Sequence, residues 1–303
     1  MKKICSAVIV LIKASNSFAC SICGCGGGNS YMGLIPGFKN HFIGVRYHYA
    51  EFYTQLANNP TQFSHNFYNT VELWGGYNIG KKFRLIATIP YYFNKQIDDD
   101  GLMKKNGIGD VTIIGQYQIF HSYSLLPQEK IVEQQLWLGG GIKMATGSFG
   151  INPNDSTTTV ADINAQLGTG STDFIVSGLY NLKVQRFGLN ISGNYKINTV
   201  NTSGYKYGNK LNVNALAYYR FNSKQTTVVP NAGIGYESVA GNKLNGNKVN
   251  FTGSHATLAI AGIEYSFSNI ALGFNAQLPI EQNFAEGQTT MHIKAMAHIS
   301  FAL

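Results

Sequence analysis

Over 303 residues only 13% are charged, against roughly 25% in a soluble protein, although the chain is long enough for two ordinary domains. The formal net charge of +8 does not mark a nucleic-acid surface, because the lysines are scattered through turns with no basic run. High aromatic content, and no later apolar run near the ~20 residues of a membrane helix, exclude a helical membrane protein and leave sheet throughout.

The chain opens on Lys2 and Lys3, an apolar run from Ile4 to Ile12, and the small-x-small triplet Ser17-Phe18-Ala19. These are the parts of a secretory signal peptide over 1–19, whose apolar run is too short to span a bilayer. Cleavage after Ala19 removes Cys5 and makes Cys20 the first mature residue. Residues 20–40 then form a Cys/Gly-rich N-terminal segment, expected in the periplasm, in which Cys20, Cys23 and Cys25 run into Gly26 to Gly28.

From residue 41 onward, period-2 alternation recurs between turn residues. Strands are predicted at 41–54, 65–80, 82–97, 106–122, 131–147, 169–184, 187–200, 206–222, 226–240, 250–268, 270–283 and 288–303. The count is even, and each segment reaches the ~9–11 residues a tilted membrane strand needs, where sandwich strands run to ~5–6. In 187–197, Phe187, Leu189, Ile191 and Tyr195 share one face, and Asn190, Ser192, Asn194 and Lys196 the other. Even-numbered connections are mostly tight and odd-numbered ones longer (55–64, 98–105, 148–168, 241–249), except a long 122–130 connection. Short periplasmic turns and long outer loops are the habit of outer-membrane barrels. The last residues keep one apolar face through Met291, Ile293, Ile299, Phe301 and Leu303. The reading is an all-β, transmembrane, antiparallel up-and-down β-barrel of about twelve strands over 41–303. It places the protein in the outer membrane of a Gram-negative bacterium, N-terminus periplasmic, with membrane lipid and a small-molecule solute as partners.

"IATIPYYFNK" (86–95) with "GIGDVTIIGQYQ" (107–118) resembles the strand-loop-strand signature of outer-membrane barrels of the meta-pathway of phenol degradation group. "NAQLPIEQNFAEGQTT" (275–290) resembles the penultimate hairpin of the same group. The opening "CSICGCGGGNSYMGLIPGFKNHFIGVRYHY" (20–49) looks like a Bacteroidota subset with the Cys-x-x-Cys-x-Cys segment, described as transporters. The resemblance implies an outer-membrane transport protein. Its motifs are structural: Gly107, Gly109 and Asp110 shape a strand entry, and Pro90 and Pro279 mark bends or bulges.

Alternation assigns the lumen: Arg46, His48, Glu72, Trp74, Arg84, Asp110, Gln116, Trp137, Lys143, Lys196, Arg220, Glu264, His292, Lys294 and His298, with Gln277 and Glu281 beside them. Mixed charges, amides and aromatics suit a pathway for a small, polar-to-amphipathic solute, or an interior of ion pairs that holds the barrel shape. Catalysis is not expected, since no serine, base and acid set comes within reach and no G-x-S-x-G elbow exists. Three closely spaced thiols at Cys20, Cys23 and Cys25 suit a soft metal, Cu(I) or Zn(II); a disulfide and a lipid anchor are the alternatives. The rival function is therefore periplasmic metal handling, with a metal-handling partner and the barrel as anchor. If strand 12 pairs with strand 1, His48, Met296 and His298 meet and offer a second soft-metal site, or the histidines hydrogen-bond to Asn and Glu neighbours in a wet lumen, which is the favoured reading.

Overall fold

The computed structural model describes residues 41–56, 59–98, 101–127, 130–150, 152–155, 163 and 166–303, so the leader and the cysteine segment lie outside the described residues. Twelve long strands make the wall. They are β1 (Phe42–Leu56), β2 (Asn59–Ile79), β3 (Phe83–Asp98), β4 in two parts (Gly101–Ile108 and Thr112–Leu126), β5 (Lys130–Lys143) and β6 (Asp173–Val184). The rest are β7 (Phe187–Ile197), β8 (Lys210–Tyr219), β9 (Thr226–Val239), β10 (Ser254–Phe267), β11 (Ile270–Phe284) and β12 (Thr289–Ala302). Each pairs antiparallel with its sequence neighbour, and β1 pairs with β12 from Phe42↔Ala302 to Thr54↔Thr289. The sheet is closed, so every wall strand has two neighbours and no backbone edge meets lipid.

Alternation explains the two surfaces. Ile43, Val45, Leu73, Ile89, Ile113, Leu138, Phe174, Ile234, Ile263, Phe274 and Ile299 all point outward and are exposed. A band of large apolar side chains around a whole wall has no place in water and matches a hydrocarbon layer. Their neighbours one residue away, among them Arg46, Glu72, Gln116, Ser177, Asn194, Asn212, Glu264 and Lys294, are buried inside.

The predicted strands appear in order, with three differences. Expected loops 55–64 and 98–105 are largely strand, since β2 begins at Asn59 and β4 at Gly101. These segments carry polar residues on both faces, and beyond the bilayer a ladder needs no apolar face, so periodicity does not reveal it. For the same reason the expected long 122–130 connection shrinks to residues 127–129, which removes the exception to the short-turn rule. The predicted strand 106–122 is broken at Gly109 to Val111, opposite Pro90. Pro90 has no N–H for the ladder, and its carbonyl accepts from Gly109 N–H at 2.9 Å instead. Pro279 sits at the bulge opposite Leu258.

One end of the barrel holds the tight turns Gly80–Lys82, Gln185-Arg186 and Ser268-Asn269, with Gln185 and Ser268 left-handed. At the other end, the described residues of 144–172 pack with 198–209 and 240–253. Ile163, Tyr205 and Tyr207 form a small buried cluster with Phe149, Leu244 and Val249 against it. Tyr207 Oη donates to Ile163 O at 2.7 Å, and Asn242 Nδ2 to Tyr205 Oη at 2.8 Å. Short strands Tyr205–Lys206, Lys243–Leu244 and Asn247–Lys248 tie the second and third of these segments into one small sheet. The loop end is therefore partly roofed by structured chain.

Candidate functional site

The lumen is the site, and its two sides differ. On the closure seam, β1, β2 and β12 bring charged residues into register: Arg46 lies opposite Glu72 on β2 and His298 on β12. Glu72 Oε2 accepts from Arg46 Nη2 at 2.8 Å and lies 2.9 Å from His48 Nε2. The Arg46 guanidinium also lies over the Trp74 ring, 4.3 Å from its centroid, where the ring's quadrupole attracts it. His298 Nε2 is 2.9 Å from Glu264 Oε2, and its ring is 6.0 Å from Trp74, edge to face. That His298–Glu264 pair fills the space over Gly273, where a Cβ would collide with both groups. Farther round, Lys294 Nζ bonds Glu237 Oε2 at 2.5 Å, and Asn212 Nδ2 donates to Glu237 Oε1 at 3.0 Å. Charges removed from water need such partners.

Toward the loop end of the same strands the inward face turns apolar. Ala50, Phe52, Tyr68, Leu258, Phe284 and Met291 pack as one buried cluster with Leu216, Ala256, Ile260 and Met296. Phe52 meets Tyr68 and Phe284 edge to face at 5.8 and 5.5 Å. Along β1 the order is Arg46, His48, Ala50, Phe52, so polar gives way to apolar within two turns of the pleat.

The opposite wall, β3 to β8, is mainly polar, with Ile86, Leu179 and Leu216 as buried apolar residues on it. At its loop end, Lys143 Nζ lies 2.5 Å from Asp110 Oδ2 and 3.0 Å from Asp173 Oδ2. Asp110 also accepts from the backbone N–H of Gly147 and of Thr169, both at 2.9 Å, so the 144–172 loop is bound into the barrel mouth. Lower down, Arg84 Nη2 donates to Gln116 Oε1 at 2.6 Å, Gln116 Nε2 to Ser177 Oγ at 3.2 Å, and Arg84 stacks over Trp137 at 4.6 Å. Lys183 pairs with Glu133 near the short turns. Arg84, Lys196 and Arg220 have no carboxylate within ion-pair distance among the described residues.

Of the residues assigned to the lumen from sequence, Arg46, His48, Glu72, Trp74, Asp110, Gln116, Lys143, Glu264, Lys294 and His298 are buried inside, and Arg84, Trp137, Lys196 and Arg220 are half-buried there. His292 is not. A β-bulge pairs Glu51 with Ile293 and Phe52 with Met291, skipping His292, which turns to the outer face beside Glu51 and His65. Glu281 is likewise displaced outward next to a bulge and meets His255 at 3.1 Å. His48 does pair with Met296 across the seam, as expected. Each imidazole has a carboxylate beside it, His48 with Glu72 and His298 with Glu264.

Of the apolar patch, the sequence assignment of the lumen reaches Met296 alone. The parity of Arg46 and His48 places Phe52 on the same face, and β10 is apolar on both faces at Ala256 to Ile263, which is the signal for an apolar lumen.

The family model described as "Putative MetA-pathway of phenol degradation" matches residues 50–292. Among solved structures, an outer membrane channel from Pseudomonas putida F1 matches with a TM-score of 0.58 and 13% identity, over 89% of this chain and 100% of that one. The beta domain of the Bordetella autotransporter BrkA scores 0.47 with 10% identity, over 87% and 100%. The CymD monoaromatic hydrocarbon channel scores 0.38 with 10% identity, over 88% and 89%. At these identities the likeness is one of fold, and only the first score is high enough to carry it. Among curated proteins none matches.

Proposed function

The chain belongs to the family described as "Putative MetA-pathway of phenol degradation", and from that premise we propose that it is an outer-membrane channel for a small amphipathic solute. The observation that carries the reading is the divided lumen: an apolar patch around Phe52, Tyr68, Phe284 and Met291 on the seam wall, reaching Leu216 of β8, and a mainly polar stretch of wall over β4 to β7. A solute with an apolar body and a polar end finds contacts for both at once. Arg84, Lys196 and Arg220, without carboxylate partners among the described residues, favour a negatively charged polar end. The solved relative of highest score reported above is itself an outer membrane channel, which supports transport over chemistry. The reading is of a non-catalytic protein; the family's name refers to a pathway. Short turns face the periplasm in such barrels, so the Gly80–Lys82 end and the N-terminus are periplasmic, in the outer membrane of a Gram-negative cell.

Trp74, Gln116, Gln277 and Asn275 are each no more than 2% exposed, so side chains fill the lumen at this level and a solute must part them. Purified protein in planar bilayers should give small, intermittent conductance steps, and Trp74→Ala should enlarge them. Electrical silence from both proteins would overturn the channel reading.

A further inference from the structure

The bulge that expels His292 from the lumen builds something on the outside. Glu51 of β1, His65 of β2 and His292 of β12 each present a ligand atom, and these atoms lie within 4.8 Å of one another. His65 Nε2 is 2.8 Å and His292 Nδ1 3.3 Å from the same oxygen, Glu51 Oε1. The other oxygen, Oε2, accepts from Tyr49 Oη at 2.9 Å, which fixes the carboxylate's orientation. From these residues we infer a transition-metal site of the two-histidine, one-carboxylate type on the outer face of the barrel, straddling the closure seam and suited to Zn(II).

The geometry fits the ion. Ligands about 2.0–2.1 Å from a tetrahedral zinc stand roughly 3.3 Å apart, so the 3.3 Å spacing needs no change, the 2.8 Å one needs a small side-chain rotation, and the two imidazole nitrogens, within 4.8 Å of each other, close on the ion by the same kind of rotation. Side-chain exposures of 22% for Glu51, 31% for His65 and 49% for His292 leave the fourth position open to water. The ring nitrogens that now share hydrogen bonds with Glu51 would turn their lone pairs to the metal, each imidazole keeping its proton on the other nitrogen. Tyr53 and Phe67 flank His65, with ring centroids 6.0 and 4.3 Å away, on the loop side of the apolar stretch Ile43, Val45 and Tyr47. That is the level of an interfacial aromatic girdle, where an ion has access to water.

Position gives the site a consequence. Glu51, His65 and His292 come from three adjacent strands, and β1 meets β12 only when the barrel closes. An ion bound there ties the first two strands to the last and stabilises only the closed state. His255 with Glu281 is a comparable outward imidazole–carboxylate pair at 3.1 Å that is not part of any such triad among the described residues, and serves as control.

The test uses full-length protein in detergent with Cys20, Cys23 and Cys25 changed to Ser, so that thiolates do not compete. Co(II) should bind at one equivalent with a visible tetrahedral spectrum and be displaced by Zn(II). His65→Ala and His292→Ala should each weaken binding by at least roughly tenfold, Glu51→Gln should weaken it, and His255→Ala should leave it unchanged. Zn(II) should raise the melting temperature of the parent and not of His292→Ala. Folding of each variant is checked by its heat-modifiable gel mobility. Absence of bound Co(II) in the parent, or equal affinity in parent, His65→Ala and His292→Ala, would overturn the site.

Discussion

The two halves of the barrel wall obey the same alternation and bury different chemistry. On the seam, β10 to β12 with β1 and β2, the inward face passes from Arg46, Glu72, Glu264 and His298 to Phe52, Leu258, Phe284 and Met291. On β4 to β8 it is mainly polar, from Asp110, Lys143 and Asp173 through Gln116, Ser177 and Asn194 to Glu133 and Lys183, with Leu179 and Leu216 as apolar interruptions. Both outer faces are apolar, so the difference is not demanded by the membrane. A wall that only had to hold shape would need neither the contrast nor the charges left without carboxylates, which is why the contrast reads as a solute path.

Breaking the polar wall should cost most. Lys143 is the cation shared by Asp110 and Asp173, and Lys143→Ala leaves two buried carboxylates without it, each still bound by residues of the 144–172 loop. A loss of roughly 3–5 kcal/mol is expected from stranding a buried charge, read from denaturant unfolding by the fluorescence of Trp74 and Trp137, the two tryptophans of the chain. The apolar patch comes next. Phe52→Ala empties a fully buried ring position between Tyr68 and Phe284 and should cost roughly 3 kcal/mol in the same assay. Gly273→Ala sharpens the comparison within the seam, since its new Cβ strikes the His298–Glu264 pair and should cost about 1–3 kcal/mol. His255→Ala, on the outer face and outside both halves of the lumen, should shift stability by less than about 0.5 kcal/mol.

The fold was largely legible because a closed barrel in lipid imposes one rule on every strand: apolar outward for a bilayer's thickness. β7 shows it plainly, with Phe187, Ile191 and Tyr195 exposed and Asn190, Ser192 and Asn194 buried. The rule lapses outside the bilayer, which is why the tall hairpins of β1–β2 and β3–β4 looked like loops. It also fails locally at bulges, because one inserted residue reverses the side-chain parity that follows. His292 and Glu281 were assigned inward by an alternation that the bulges interrupt. Partners across strands, such as Arg46 with Glu72, depend on register, which no single strand's sequence contains. The loop contacts of Asp110 through Gly147 and Thr169 are likewise invisible before folding, though Asp110 itself was legible as a lumen residue at a strand entry.

The central claim is that a divided lumen passes amphipathic anions and that Trp74 helps to close it. Proteoliposomes loaded with an alkylbenzenesulfonate, which keeps its charge at any ordinary pH, or with a neutral sugar of similar size, test it directly. The wild type should release the sulfonate faster than the sugar, and Trp74→Ala should speed both and narrow the difference. Equal release of the two solutes from the wild type, or no release above empty liposomes from either protein, would contradict the account.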